Sequence, residues 1–155
     1  MLVQFDSLPG TSRVYYYPSS RKFYPDEIPA LSSKIEAFCQ GLADVQIAYR
    51  LVYDRFVLFF VSENTPLSIE QNDELVEFVL DLEKEFGVNL LDKVNACFKQ
   101  GEFVQRKEIR EFKKLIKSRS VSGRTLILDP MINTKSEFLT NWEVPLSESW
   151  LAHLL

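Results

Sequence analysis

From Val45 to Tyr53 the chain alternates: Val45, Ile47, Tyr49, Leu51 and Tyr53 are interleaved with Gln46, Ala48, Arg50 and Val52. A period of two marks a strand with one buried face. Asp54-Arg55 is turn chemistry, and Phe56 to Val61 follows as an apolar run without alternation. Such a run predicts a central strand covered on both faces. Upstream, Arg13-Val14-Tyr15-Tyr16-Tyr17 favours a strand and stops at Pro18. Between these strands Ile28, Leu31, Ile35 and Phe38 recur at helical spacing, with Asp26 as the expected cap, Pro29 in the first turn and Gly41 as the stop.

Ser68-Ile69-Glu70-Gln71 is a capping box, in which Ser68 and Gln71 satisfy each other's backbone donors. Leu75, Val79, Leu82 and Phe86 form the apolar stripe of the helix that follows, and Gly87 ends it. Val94 to Phe98 alternates weakly and is expected to be a strand. Arg106 to Ser118 is expected to be a helix with Ile109, Phe112, Leu115 and Ile116 inward, and Thr125 to Leu128 a late buried strand. Residues 130–155 read as a loop-rich tail ending in a short helix that Ser147 opens and that carries Trp150 and Leu154. The order β-α-β-β-α-β-α-β-α predicts an α+β fold. Its mixed or antiparallel sheet carries helices, as a ferredoxin-like β-α-β-β-α-β core with a C-terminal α-β-α extension. A length of 155 residues fits one globular domain, 1–155, with residues 1–12 as an N-terminal segment.

Composition changes this picture little. Apolar residues make up 46% and charged ones 26%, an ordinary globular mixture. Asp6 and Pro9 interrupt the N-terminal stretch, so no signal peptide is read, and no apolar run is long enough to span a bilayer. Cys39 and Cys97 show no framework spacing and read as reduced core residues, which sets the expectation of a cytoplasmic protein without membrane partners. The net charge of −4 conceals segregation. Nine acidic and two basic residues lie between Ser62 and Lys93, and eight basic and three acidic ones between Gly101 and Arg124. That asymmetry is the one global clue to partners.

Candidate chemistry is sparse. Leu126-Ile127-Leu128-Asp129-Pro130 resembles a Mg²⁺-binding strand of nucleotide hydrolases, and Ser120-Val121-Ser122-Gly123-Arg124 echoes an ABC signature loop. No glycine-rich loop with a Gly-Lys-Ser/Thr ending exists to cradle phosphates, so ATP hydrolysis is not expected and Asp129-Pro130 reads as turn chemistry. One histidine, His153, and two unspaced cysteines cannot build a tetrahedral metal site, so neither a metal nor another cofactor is expected. A serine triad would need His153 in a terminus prone to fray. Cys97 beside Asn95 and Lys99 reads as a core cysteine. Arg106, Arg110, Lys113, Lys114 and Lys117 fall on one helix side as a candidate anion-binding or acidic-partner face, which Glu108 and Glu111 interrupt. Polar loops supply the remaining candidates: Asn95, Lys99, Glu102 and Glu143 as acid, base and orienting groups, and Asn133, Lys135 and Trp142 as binding residues.

Six stretches carry a family likeness over nearly the whole chain. They are Ser12-Arg13-Val14-Tyr15, Tyr53-Asp54-Arg55-Phe56, Lys99-Gln100-Gly101-Glu102-Phe103, Asn133-Thr134-Lys135, Asn141-Trp142-Glu143-Val144-Pro145 and Ser149-Trp150. In these the chain resembles a family of short uncharacterised bacterial proteins often labelled "ABC transporter ATPase". The label implies ATP hydrolysis, and the missing phosphate loop argues against it here. The resemblance brings no catalytic residues. It implies a cysteine ahead of the Ser-Ile-acid helix start, where this chain has Leu67.

These observations favour a non-enzymatic protein-binding or self-associating module, with a protein partner or a homodimer. The alternative is a metal-independent enzyme working with Asn95, Lys99, Glu102 and Glu143 at a sheet edge. Third is anion or nucleic-acid binding along 106–117, which the acidic balance of the chain disfavours.

Overall fold

The computed structural model describes residues 1–155. The fold is α+β, with four α-helices and two antiparallel sheets. The chain divides into two compact units, residues 1–92 with 133–136, and residues 93–132 with 137–155.

The first unit holds β1 (Arg13–Pro18), α1 (Ile28–Gly41), β2 (Ile47–Val52), β3 (Phe56–Val61) and α2 (Ile69–Phe86), with sheet order β1-β3-β2. All six residues of β3 are buried, as its unbroken apolar run requires. Antiparallel β1 pairs Tyr15 with Phe59, and antiparallel β2 pairs Tyr49 with the same residue. On that face α1 contributes Leu31, Ile35 and Cys39 and α2 contributes Leu75, Val79 and Leu82 to one apolar cluster with Ile47, Val57, Phe59 and Val61. Phe38 of α1 stacks on Phe78 of α2 at 4.4 Å. The β2–β3 connection is a tight turn in which Tyr53 and Asp54 both take left-handed φ, and Arg55 N donates to Val52 O.

The expected cap of α1, Asp26, is displaced by one residue. Glu27 is the N-cap, and its carboxylate turns back to accept from Tyr24 N and the fork of Arg21 at 2.9 and 3.1 Å. Arg21 also donates to Phe86 O at the end of α2, so one guanidinium ties the start of α1 to the end of α2. The charge-assisted bonds hold the Glu27 carboxyl below its ordinary range.

The second unit holds β4 (Ala96–Gln100), β5 (Phe103–Lys107), α3 (Ile109–Lys117), β6 (Leu126–Leu128) and β7 (Glu143–Pro145), with sheet order β5-β4-β6-β7. Its core joins Ala96, Phe98, Phe112, Val121, Ile127, Leu146 and Leu151, with the predicted inward residues Ile109, Leu115 and Ile116 packed against it. Several expectations are corrected here. The strand at 94–98 runs instead over 96–100 and turns through Gly101, at φ 62, into β5. That hairpin takes residues 103–107, so the helix starts at Ile109 and not at Arg106. The tail is less loop-rich than expected: α4 (Lys135–Asn141) and β7 lie in it, and the expected C-terminal helix is replaced by two 3-10 turns, Leu146–Glu148 and Ala152–Leu154.

One expected sheet is therefore two. β4 is paired on both sides, by β5 and β6, and does not join β1. The outer edge of β1 is met by a four-residue segment instead. Val14 N donates to Asn133 O, Lys135 N to Ser12 O and Ser136 N to Gly10 O, around an antiparallel bridge between Arg13 and Thr134. Glycine suits that approach, because a Cβ on Gly10 would lie 2.3 Å from Ser136 Oγ. Lys135 anchors the segment. It is buried, its Nζ donates to Phe5 O and Leu8 O at 2.8 Å, and it lies 4.3 Å from the Phe5 ring. Lys135→Met should lower stability by about 1–3 kcal/mol, the cost of leaving a buried carbonyl unpaired. Urea unfolding checks this, and an unchanged midpoint would show that the ammonium anchors nothing.

Candidate functional site

The acidic candidate surface is α2. Its capping box forms as predicted, with Gln71 N donating to Ser68 Oγ at 3.1 Å and Ser68 N to Gln71 Oε1 at 2.9 Å. Gly87 closes the helix in the left-handed conformation at φ 64. Seven carboxylates (Glu70, Asp73, Glu74, Glu77, Asp81, Glu83 and Glu85) stand against one cation, Lys84. Flanking the buried stripe on one side, Ile69, Val76 and Leu80 are exposed at 83%, 44% and 39%, with Asp73 and Glu77 beside them at helical spacing.

The basic candidate surface is α3, where Arg110, Lys113, Lys114 and Lys117 are all exposed and Phe112 is fully buried. The helix ends in a Schellman arrangement: Ser120 N donates to Leu115 O, Arg119 N to Ile116 O, and Arg119 occupies the left-handed position at φ 63. Arg106, expected on this face, lies on β5. The cationic row is shorter by one residue at its start than its spacing suggests.

Of the four polar loop candidates, the structure joins two. Lys99 Nζ on β4 meets Glu143 Oε1 on β7 at 3.5 Å, a half-buried ion pair. Asn95 precedes β4, and Glu102 is exposed in the Gly101-Glu102 turn. Asn133 and Lys135 hold the strap along β1, and Trp142 is buried beside Phe138 at 5.2 Å. Asp129 accepts from Met131 N at 2.8 Å, the geometry of an Asx turn. No group of three or more His, Cys, Asp or Glu side chains is placed to hold a metal ion. No helix is long and apolar enough to cross a membrane.

A cleft of about 630 Å³ that the sequence reading missed lies on the outer edge of β2. Tyr49, Arg50 and Leu51 form one wall, Gln4, Phe5 and Asp6 another, and Ile28 and Ser32 of α1 the floor, with Asp54 at the turn. Arg50 is exposed and lies over the Phe5 ring at 4.2 Å, while Phe5 stands edge-on to Phe60 at 4.8 Å. The Tyr49 hydroxyl donates to Glu36 Oε1 at 2.7 Å. Burial and that bond raise its pKa, so it stays a neutral donor. The available sequence signal was Arg50, the one charge inside the alternating strand.

Both cysteines are buried, and burial pushes the Cys39 thiol up to about 12. A thiol held protonated is a poor nucleophile. Ellman's reagent should titrate neither cysteine in the native protein and both after denaturation; rapid native labelling of Cys97 would restore it as a reactive group. Geometry alone carries the functional reading, since no protein-family model, no curated protein and no solved structure matches the chain.

Proposed function

We propose that the chain is a non-enzymatic protein-binding module that associates with a second copy of itself through oppositely charged helix faces. The observation that carries this reading is the contrast between α2 and α3. One exposes six carboxylates against Lys84, with Glu85 paired to Lys34 and the half-buried Glu83 accepting from Leu90 N, and the other exposes four cations against Glu111. A second copy offers each face its complement. The apolar side of α3 is already in its core, so its contribution to a partner is charge. Charge of this kind steers and orients, each exposed pair adding only about 0–1 kcal/mol. Ile69, Val76 and Leu80 supply the apolar area that charge pairs alone lack.

Sedimentation velocity at two ionic strengths tests the proposal. At about 10 mM salt the screening length is about 30 Å and the protein should sediment as a dimer. At about 1 M it falls to about 3 Å and the protein should be monomeric. Reversing Lys113 and Lys117 to glutamate should weaken the low-salt dimer about tenfold or more. Reversing Glu74 and Glu77 to lysine in the same chain should restore it. A monomer at both ionic strengths would overturn the reading.

A further inference from the structure

The edge of β2 is only partly covered. Residues 1–3 already lie along it as a short parallel addition: Ile47 N donates to Met1 O at 3.1 Å and Val3 N to Ile47 O at 2.8 Å, around a bridge between Leu2 and Ile47. At Gln4 the chain turns away into the 3-10 turn Phe5–Ser7. The bonds of Ile47 fix the phase of the strand. Backbone groups of antiparallel strands point alternately to one neighbour and the other, so the outward pairs after Ile47 belong to Tyr49 and Leu51. Neither meets a backbone partner on that side. Two N–H and two C=O groups therefore line the cleft described above, directly beyond the point where the chain's own strand leaves it.

We propose that this cleft is a site for β-strand addition, taking an extended peptide segment of a partner protein that carries a carboxylate side chain level with Arg50. Main-chain bonds to Tyr49 and Leu51 supply the affinity common to such sites, and alternate side chains supply the selectivity. A ligand residue paired with Arg50 projects to the same side of the sheet as its guanidinium. Arg50 lies over the Phe5 ring at 4.2 Å, is exposed and forms no ion pair, so its donors are open to a carboxylate. The neighbouring ligand residues project to the opposite side, towards Ile28 and Ser32.

A second copy is the poorer occupant. For two β2 edges to use all four open groups, Tyr49 must pair with Leu51 of the other strand in antiparallel register. That places Arg50 opposite Arg50 at the two-fold axis, and like charges directly opposite are destabilising. This site is independent of the helix pairing proposed above.

The test uses the isotope-labelled full chain and two blocked pentapeptide pools of alternating valine and threonine, one with glutamate and one with lysine at the centre. The glutamate pool should shift the amide resonances of Tyr49 and Leu51, and bind about tenfold or more tightly than the lysine pool. Arg50→Gln, at an exposed position, should erase the preference while leaving the fold intact. Leu51→Pro, which removes one edge donor, should lose both pools, with the spectrum of the remaining residues serving as the folding control. Lys113→Glu with Lys117→Glu should leave peptide binding unchanged, separating this site from the helix faces. Three results would overturn the proposal. The first is no shift at Tyr49 and Leu51 with either pool. The second is a glutamate preference that survives Arg50→Gln. The third is a concentration-dependent shift of the same amides without peptide, which would identify a second copy as the occupant.

Discussion

The structure depends on burying β3 on both faces. Its side chains from Phe56 to Val61 are no more than 1% exposed, so its backbone has no access to water and every N–H and C=O must find a strand. That requirement fixes β3 at the centre, with β1 and β2 as its antiparallel neighbours. It then hands the problem of unpaired edges to those two strands. Each is treated differently. The β1 edge meets the strap that Lys135 anchors on Phe5 and Leu8, whereas the β2 edge meets residues 1–3 at Ile47. Phe5 connects both arrangements, because Lys135 and Arg50 each lie over its ring.

The charged helices belong to a different layer of the energetics. Helices α2 and α3 are secured by their caps and by their inward stripes, Leu75, Val79 and Leu82 in one and Phe112 with Ile109 and Ile116 in the other. The outward charges are not needed for folding, since exposed pairs contribute little to stability. The two contacts proposed for the molecule therefore differ in kind. One is long-ranged and salt-sensitive, and the other is short-ranged and directed by backbone hydrogen bonds.

Local chemistry made much of the fold legible. The Ser68 and Gln71 capping box, the Gly87 stop, the unbroken β3 run and the inward residues of α3 are all determined within a few residues of themselves. Misreadings arose where local signals compete or where pairing is remote. Arg106 and Lys107 continue the charge pattern of the helix that follows, which masks a strand whose clearest signal is the Gly101-Glu102 turn before it. Asn133-Thr134-Lys135 is polar and reads as a loop, yet it bridges to β1 and opens α4, with Lys135 buried against carbonyls over 120 positions away. The division into two sheets turns on whether β4 pairs with β1 or with β6, a non-local choice that periodicity does not encode. The β2 cleft was invisible for the same reason: alternation locates the buried face of a strand and says nothing about which edge stays open.

Amide hydrogen exchange of the free protein, resolved along β2, tests the open edge most directly. The amides of Ala48 and Arg50, which face β3, and of Ile47, which is bonded to Met1 O, should be protected, while those of Tyr49 and Leu51 should exchange many-fold faster. Protection of Tyr49 and Leu51 equal to that of Ile47 would mean that the edge is already covered, and would contradict strand addition at this site.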